Sequence, residues 1–406
     1  MQLPSGPLRR DVVVVGSGPA GSACAWSLAR QGLQVLLVDQ QAFPRDKACG
    51  DGLIPDALVA LDRLGVLDEV LQQARQVPHV RCVGPRGGHV DVPGRLAVLP
   101  RRQLDHILHR AAVGAGAEPL LPARFESPLR DGERVVGARL QHAGRTIEVA
   151  ARWLVLATGA APQAAIAAGV CDRRTPSGVA LRGYFRHPAL AEAASALEIV
   201  WHRRLAGGYG WVFPAPDGVF NVGVGLTGSH VLEGEHGRMR ELNLRSLLEA
   251  FGQLHARAGR LLSEGEPLGT LKGAPLRCSL AGTRWSCPGL LVTGEAAGST
   301  YAFTGEGIGK AMETGLLAAD ALGTDSRSTD ADTRARYEAS LRALQPRFAL
   351  YQRAEHVNRR PWLADLVIWR ARRSPAILRR MSGVLDETQN PGRLLSWRGI
   401  GKLLLS

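Results

Sequence analysis

The chain has 406 residues, 45% apolar and 5% aromatic, with 50 basic against 37 acidic side chains and a net charge of +13. That length allows two folded units or one composite unit, and the composition excludes a fibrous or low-complexity chain. The six cysteines form no CxxC pair beside a histidine cluster, which excludes a zinc site, and no apolar run approaches the length of a bilayer span.

Residues 1–10 (MQLPSGPLRR) lack the apolar core of a signal peptide, so the expected location is the cytoplasm, where scattered thiols stay reduced. Residues 11–15 (DVVVV) read as a buried parallel strand. Gly16-Ser17-Gly18-Pro19-Ala20-Gly21 follows, then a helix over 20–31 and a second strand over 34–38 that ends at Asp39 and Gln40. This is the strand, glycine turn, helix and acidic strand end that hold an adenine dinucleotide. Gly16 makes the turn, Gly18 lets the backbone meet a pyrophosphate and Gly21 lets helix and strand pack closely. Pro19 and Ala20 open the helix whose N-terminus faces the phosphates, and Asp39 is spaced to accept from a ribose hydroxyl.

Residues 79–92 have the alternation of a hairpin, and Arg102 opens a helix from which its guanidinium could face a flavin phosphate or ribityl oxygen. Gly114-Ala115-Gly116 follows a helical stretch and not a strand, so no second dinucleotide unit is visible. Residues 153–159 (WLVLATG) read as another buried strand, turning at Thr158-Gly159, and residues 218–226 as a strand. Residues 232–262 and 334–357 read as helical. A strand over 289–293 leads into Gly294-Glu295-Ala296-Ala297-Gly298, and Thr304-Gly305-Glu306-Gly307-Ile308-Gly309 opens a helix to about residue 322. That helix N-terminus could lie against the pyrimidine edge of a flavin, with Glu295 on the ribityl chain. Residues 341–406 carry thirteen Arg or Lys against four Asp or Glu. Its segments PWLADLVIW (361–369) and RLLSWRGIGKLLLS (393–406) mix Trp and Leu with basic residues, as either packing elements or peripheral membrane contacts. There is no nucleic-acid motif.

In combination, PRDKACGDG (44–52), YGWVFP (209–214), GEAAG (294–298) and TGEGI (304–308) resemble the signatures of geranylgeranyl-reductase-type flavoproteins. Relatives of that family include menaquinone reductases and, more distantly, aromatic hydroxylases and flavin halogenases. The resemblance implies a composite α/β fold. A Rossmann-like FAD domain (1–75, 98–165, 275–328) is interleaved with an antiparallel-sheet substrate domain (76–97, 166–274) and followed by a basic helical segment (329–406). It places Arg45, Lys47, Ala48, Cys49 and Gly50 along the flavin, together with Thr158, Gly159, Gly294, Glu295, Gly305, Gly307 and Ile308. It places Tyr209, Trp211 and Phe213, with Tyr184 and Phe303, around a lipophilic substrate. Cys49 and Tyr301 are the candidate proton donors.

The expected activity is reduction of a carbon–carbon double bond by hydride from reduced FAD, with NAD(P)H or a reductase partner as electron donor. A monooxygenase on the same fold, and a non-catalytic flavin-binding scaffold, are the other readings. A halogenase would need a lysine between flavin and substrate, whereas Lys47 is expected beside the flavin and Lys310 inside a helix. Thr158-Gly159 stands where related enzymes carry Asp-Gly, which argues against hydroxylase-style handling of a nicotinamide. The expected setting is cytoplasmic, with peripheral contact at the inner face of the membrane through the basic C-terminal segment.

Overall fold

The run of β-branched residues after Arg10 forms the middle of a sheet. In a computed structural model, which describes residues 8–228, 243–323 and 328–389, Val12 to Val15 are buried to 4% exposure or less. The strand Leu8–Val15 pairs in parallel with Val35–Val38 on one side and Arg145–Leu156 on the other. Leu290–Val292 extends the sheet beyond Arg145–Leu156, again in parallel, with Leu290 opposite Leu154. A strand buried on both faces reads as a continuous apolar run, which is why these segments were legible.

One face of this sheet is covered by the helices Pro19–Arg30, Arg101–Gly114, Ile308–Gly323 and Asp330–Ala354, which bury Cys24, Leu28, Ala112, Ala318 and Tyr337 against it. The other face carries the antiparallel ribbon Ala123–Asp131 and Arg134–His142. The Asp330–Ala354 helix starts at a capping box between Thr329 and Asp332. The helical reading of 232–262 divides in two: Leu244–Leu254 and Ala256–Glu264 meet at His255, whose extended backbone breaks the helix. Residues 232–242 of that reading, and the segment 393–406, lie outside the described residues.

The second sheet has nine strands and is antiparallel except where Ala196–Val200 runs alongside Arg75–Val83. Its central strands are Gly178–Arg186, Val219–Thr227 and Gly208–Pro214. Side chains of Gly208–Pro214 alternate between two cores. Val212 joins Leu248, Phe251 and Leu261 under one pair of helices, while Tyr209 and Phe213 join the side covered by Trp362–Ala371 and Pro375–Leu385. The short strand Gly52–Leu53 pairs with His89–Val98, so the segment carrying the PRDKACGDG signature is stitched into the second sheet. The two sheets meet at that point.

Candidate active site

Three turns lie side by side at the carboxyl ends of neighbouring parallel strands, the usual place for a ligand in an open α/β sheet. The turn at Gly16, with φ of +101°, abuts the one after Leu156: a methyl group added at Gly16 would sit 2.3 Å from the carbonyl oxygen of Ala157. The third turn begins at Gly294, where an added methyl would lie 2.5 Å from Cβ of Ala20. The two glycine segments, some 280 residues apart in sequence, therefore touch at the start of the Pro19–Arg30 helix.

The Asp39 carboxylate is 6% exposed. It accepts from the backbone N–H of Ser17 (2.9 Å) and of Gln41 (3.0 Å) and from Nη2 of Arg45 (3.3 Å). A carboxylate offers about four acceptor positions, so capacity for one further donor remains, enough for a ribose hydroxyl. Gln40 stands exposed beside it at the rim. The helix starting at Pro19 has no side-chain cap, which leaves its first-turn N–H groups for a ligand.

The guanidinium at this turn belongs to Arg101, not Arg102. Arg102 points to solvent, whereas Arg101 is 8% exposed and forms a fork with Asp105 at 2.6 and 2.8 Å. Arg45 holds the same Asp105 at 2.9 Å. A methyl group added at Gly18 would lie 3.5 Å from Nη2 of Arg45 and 3.7 Å from Nη2 of Arg101. Two cations sharing one carboxylate thus converge on the bare backbone where a diphosphate is expected. The buried Oγ1 of Thr158, beside Gly16, has no partner among the described residues. These features fit a dinucleotide diphosphate. Replacing Arg101 by Ala is expected to weaken FAD binding by roughly 10- to 100-fold, as loss of a charge-assisted contact does. Arg102→Ala is expected to leave affinity unchanged, and FAD titration of the two apoproteins checks both.

Phe43 and His109 escaped sequence reading. Their rings stack at 4.5 Å beside the turn, Arg45 lies 4.7 Å over Phe43, and Nδ1 of His109 is 2.8 Å from Oγ of Ser17. The signature segment is only half-buried from Arg45 to Gly50, Lys47 and Ala48 included, so it lies open along the site. Asp46 anchors it to the second sheet through Arg182 (2.5 Å) and Lys272 (2.8 Å).

The C-terminal end of this segment meets the aromatic strand. A methyl added at Gly50 would sit 3.3 Å from the Phe213 ring and 3.6 Å from Nε1 of Trp211. The rings of Tyr209 and Trp211, and of Trp211 and Phe213, are 6.3 and 6.4 Å apart. They make one wall, as the alternation of the strand requires. Its polar atoms are spoken for. The Tyr209 hydroxyl donates to the carbonyl of Thr304 (2.5 Å), tying the wall to the Thr304–Gly307 loop, and Nε1 of Trp211 donates to Oδ1 of Asn221 (2.9 Å). Gly305 is exposed on that loop, Gly307 and Thr300 are in close contact, and Ile308 begins the following helix. Glu295 is half-buried, and its carboxylate accepts from Oγ1 of Thr300 at 3.4 Å. Phe303 packs on Trp201 at 6.4 Å, in the same core as Tyr209 and Phe213.

Asn221 is the hub beneath the wall. Besides Trp211, it reaches the carbonyl of Cys49 (2.7 Å) and Oδ2 of Asp51 (2.7 Å) through Nδ2. Asp51 also receives the Tyr184 hydroxyl (2.5 Å) and the backbone N–H of Arg101 (3.3 Å). Tyr184 is therefore committed to this network. Burial raises the Asp51 carboxyl to about 6, against the opposing hydrogen bonds of Tyr184 and Asn221. A carboxyl raised on folding from 3.8 stabilises the protein while protonated and loses that contribution as pH climbs through about 6. Wild type is thus expected to lose on the order of 2–3 kcal/mol relative to Asp51→Asn between the two values. Denaturant unfolding of both proteins across that range measures it, and parallel curves would refute the assignment.

The two candidate proton donors part company. Cys49 lies in the wall segment, its thiol pushed up by burial against the nearby Arg101 guanidinium, and so stays protonated at neutral pH. The Tyr301 ring, 1% exposed, turns away into the C-terminal helices, stacked 4.0 Å from Tyr351 and set at a tilt 4.7 Å from Phe348. Burial and the neighbouring Glu387 raise its hydroxyl far above the range of a useful acid. Lys310 is 2% exposed and held by Glu313 (2.7 Å), Glu387 (2.9 Å) and Asp56 (3.4 Å), so it is not a free cation facing a substrate.

Residues 9–201 match the model of a family described as an FAD binding domain. The chain is 34% identical to the menaquinone reductase of Mycolicibacterium smegmatis over 77% of this chain and 76% of that protein. It is 30% identical to digeranylgeranylglycerophospholipid reductase 1 of Methanopyrus kandleri over 76% of this chain and 79% of that one. Among solved structures, a geranylgeranyl bacteriochlorophyll reductase-like protein from Thermoplasma acidophilum superposes with a TM-score of 0.73 at 22% identity, covering 99% and 97% of the two chains.

Proposed function

The chain belongs to the geranylgeranyl reductase-type family of FAD-dependent oxidoreductases, and from that membership we propose that it reduces a carbon–carbon double bond in an isoprenoid chain, on a quinone or on a prenyl lipid. The observation that carries this reading is the chemistry of the wall. The hydrogen-bonding atoms of Tyr209 and Trp211 are already satisfied by Thr304 and Asn221, and Phe213 has none, so the wall holds no free polar group for a substrate. That suits a hydrocarbon chain. A phenolic or amine substrate of a hydroxylase would need polar anchors, because pockets select polar groups by hydrogen bonding to them.

FAD, bound and reduced, would supply a hydride, two electrons and one proton, to one alkene carbon. Residues of the chain supply the rest. Arg45 and Arg101 would hold the diphosphate, Asp39 the ribose, and Glu295 with the Gly305–Ile308 segment the ring end of the cofactor. The aromatic wall excludes water and orients the chain of the substrate. The Cys49 thiol, held neutral by burial, is the proton source for the second carbon and is reprotonated from water. NAD(P)H or a reductase partner restores the electrons.

Single-turnover mass spectrometry under argon tests the reading. FAD-loaded protein reduced with dithionite and mixed with a menaquinone or a geranylgeranyl lipid is expected to yield product two hydrogens heavier. Product that forms only in air and carries an added oxygen would replace the reductase by a monooxygenase.

A further inference from the structure

The helix Trp362–Ala371 is apolar on two opposite faces. Leu363, Ala364, Ile368 and Ala371 are buried against Val77, Val80, Val90 and Trp201 of the second sheet. On the other side, Trp362, Leu366 and Trp369 follow one another at four- and three-residue spacing, and Arg373 continues the line beyond the helix end. Trp362 is 55% exposed and Trp369 44%, two of four large apolar side chains exposed among the described residues. An apolar helix face is normally buried, and among the described residues both tryptophans of this outer stripe stand exposed.

The surroundings of the stripe are cationic. Arg359 and Arg360 precede the helix, Arg372 and Arg373 follow it, and Arg379 and Arg380 project from the adjoining helix Pro375–Leu385; all six are exposed. Of the four acidic groups in 341–406, Asp365 binds the backbone of Arg86, Glu355 binds Thr227 and pairs with Arg359, and Glu387 binds Lys310 and Arg347, which leaves the exposed Asp386 as the one acid set against this cationic surface. The Arg373 guanidinium lies 4.7 Å over the Trp369 ring, a pairing of the kind that sits at the boundary between lipid headgroups and acyl chains. Among the described residues no helix is long and apolar enough to cross a membrane.

We propose that this stripe and its arginines dock the protein, from one side only, on a bilayer containing anionic lipid. Charge complementarity selects that occupant: Trp and Leu enter the interface while the six guanidiniums meet lipid phosphates. The inner side of the same helix shares a core with Tyr209, Phe213 and Phe303. The docking itself is independent of the reaction performed.

The test is sedimentation of the full FAD-loaded chain with vesicles of phosphatidylcholine alone and of phosphatidylcholine mixed with phosphatidylglycerol, at low and high salt. Binding is expected only to the mixed vesicles, weakened by salt. Trp362→Ser/Trp369→Ser is expected to lower it about tenfold or more, as is Arg379→Glu/Arg380→Glu, with melting temperature and FAD content unchanged. Absence of binding to the mixed vesicles would overturn the proposal. So would undiminished binding of the Trp variant, which would assign the contact to residues 390–406. A dimer in sedimentation velocity that the Trp variant abolishes would give the stripe to a second copy instead.

Discussion

Gly18→Val is expected to yield a folded protein that takes up essentially no FAD. The backbone of Gly18 is extended, with φ of −80° and ψ of −169°, a conformation valine adopts freely. An added Cβ meets only guanidinium nitrogens at 3.5 and 3.7 Å, ordinary contact distance. The side chain therefore fits the protein and occupies the space left for the diphosphate. Affinity should fall by about 1,000-fold or more, equivalent to about 4 kcal/mol, with a fold penalty limited to the weaker helix cap. Gly21→Val should behave differently, because its Cβ would lie 1.7 Å from the carbonyl oxygen of Gly16, which the backbone cannot accommodate. FAD titration beside thermal melting separates the two. Normal flavin content in Gly18→Val would show that the diphosphate lies elsewhere.

Asn221→Leu is expected to carry the largest combined effect on stability and turnover. It removes three hydrogen bonds at once and strands the Trp211 indole N–H, which is buried, and one side of the Asp51 carboxylate. Orphaned buried groups cost about 1–3 kcal/mol each, more when charged, so a loss of roughly 3–5 kcal/mol is expected in denaturant unfolding. The wall would also lose its registration on the Cys49 segment, and displacement of a positioning surface by about 1 Å can lower turnover on the order of 100-fold. Combining Asn221→Leu with Trp211→Phe, which deletes the stranded donor, should cost less than the sum of the single changes. Strict additivity would mean that Asn221 does not hold the wall.

How much of this could be read beforehand follows from the kind of pattern each feature leaves. The dinucleotide turn was legible because strand, glycines, helix and Asp39 are contiguous and each is dictated by local geometry. The aromatic wall was legible because alternate residues on a strand share a face. The guanidinium was misplaced by one residue because consecutive helix positions differ by about 100°, and without knowing which side faces the core Arg101 and Arg102 look alike. Asn221 did leave a signal, a polar side chain at an inward position of an otherwise apolar strand (GVFNVGVGL), but its three partners come from distant segments. Tyr301 sits between two glycine-rich loops in sequence, and only the packing of Phe348 and Tyr351 reveals that its ring turns outward from the site. The Trp362–Leu366–Trp369 stripe was visible as composition. Its exposure depended on which face of the helix the second sheet claims.

The central claim is that the turns at Gly16–Gly21 and Gly294–Ile308, brought together at Ala20, serve one FAD. A crystal structure of the FAD-loaded protein tests it most directly. We expect one FAD per chain, its diphosphate within hydrogen-bonding reach of the Gly18 backbone and Arg101, and its ring system against the Gly305–Ile308 segment. A diphosphate bound away from Gly18, or a ring system remote from that segment, would contradict it.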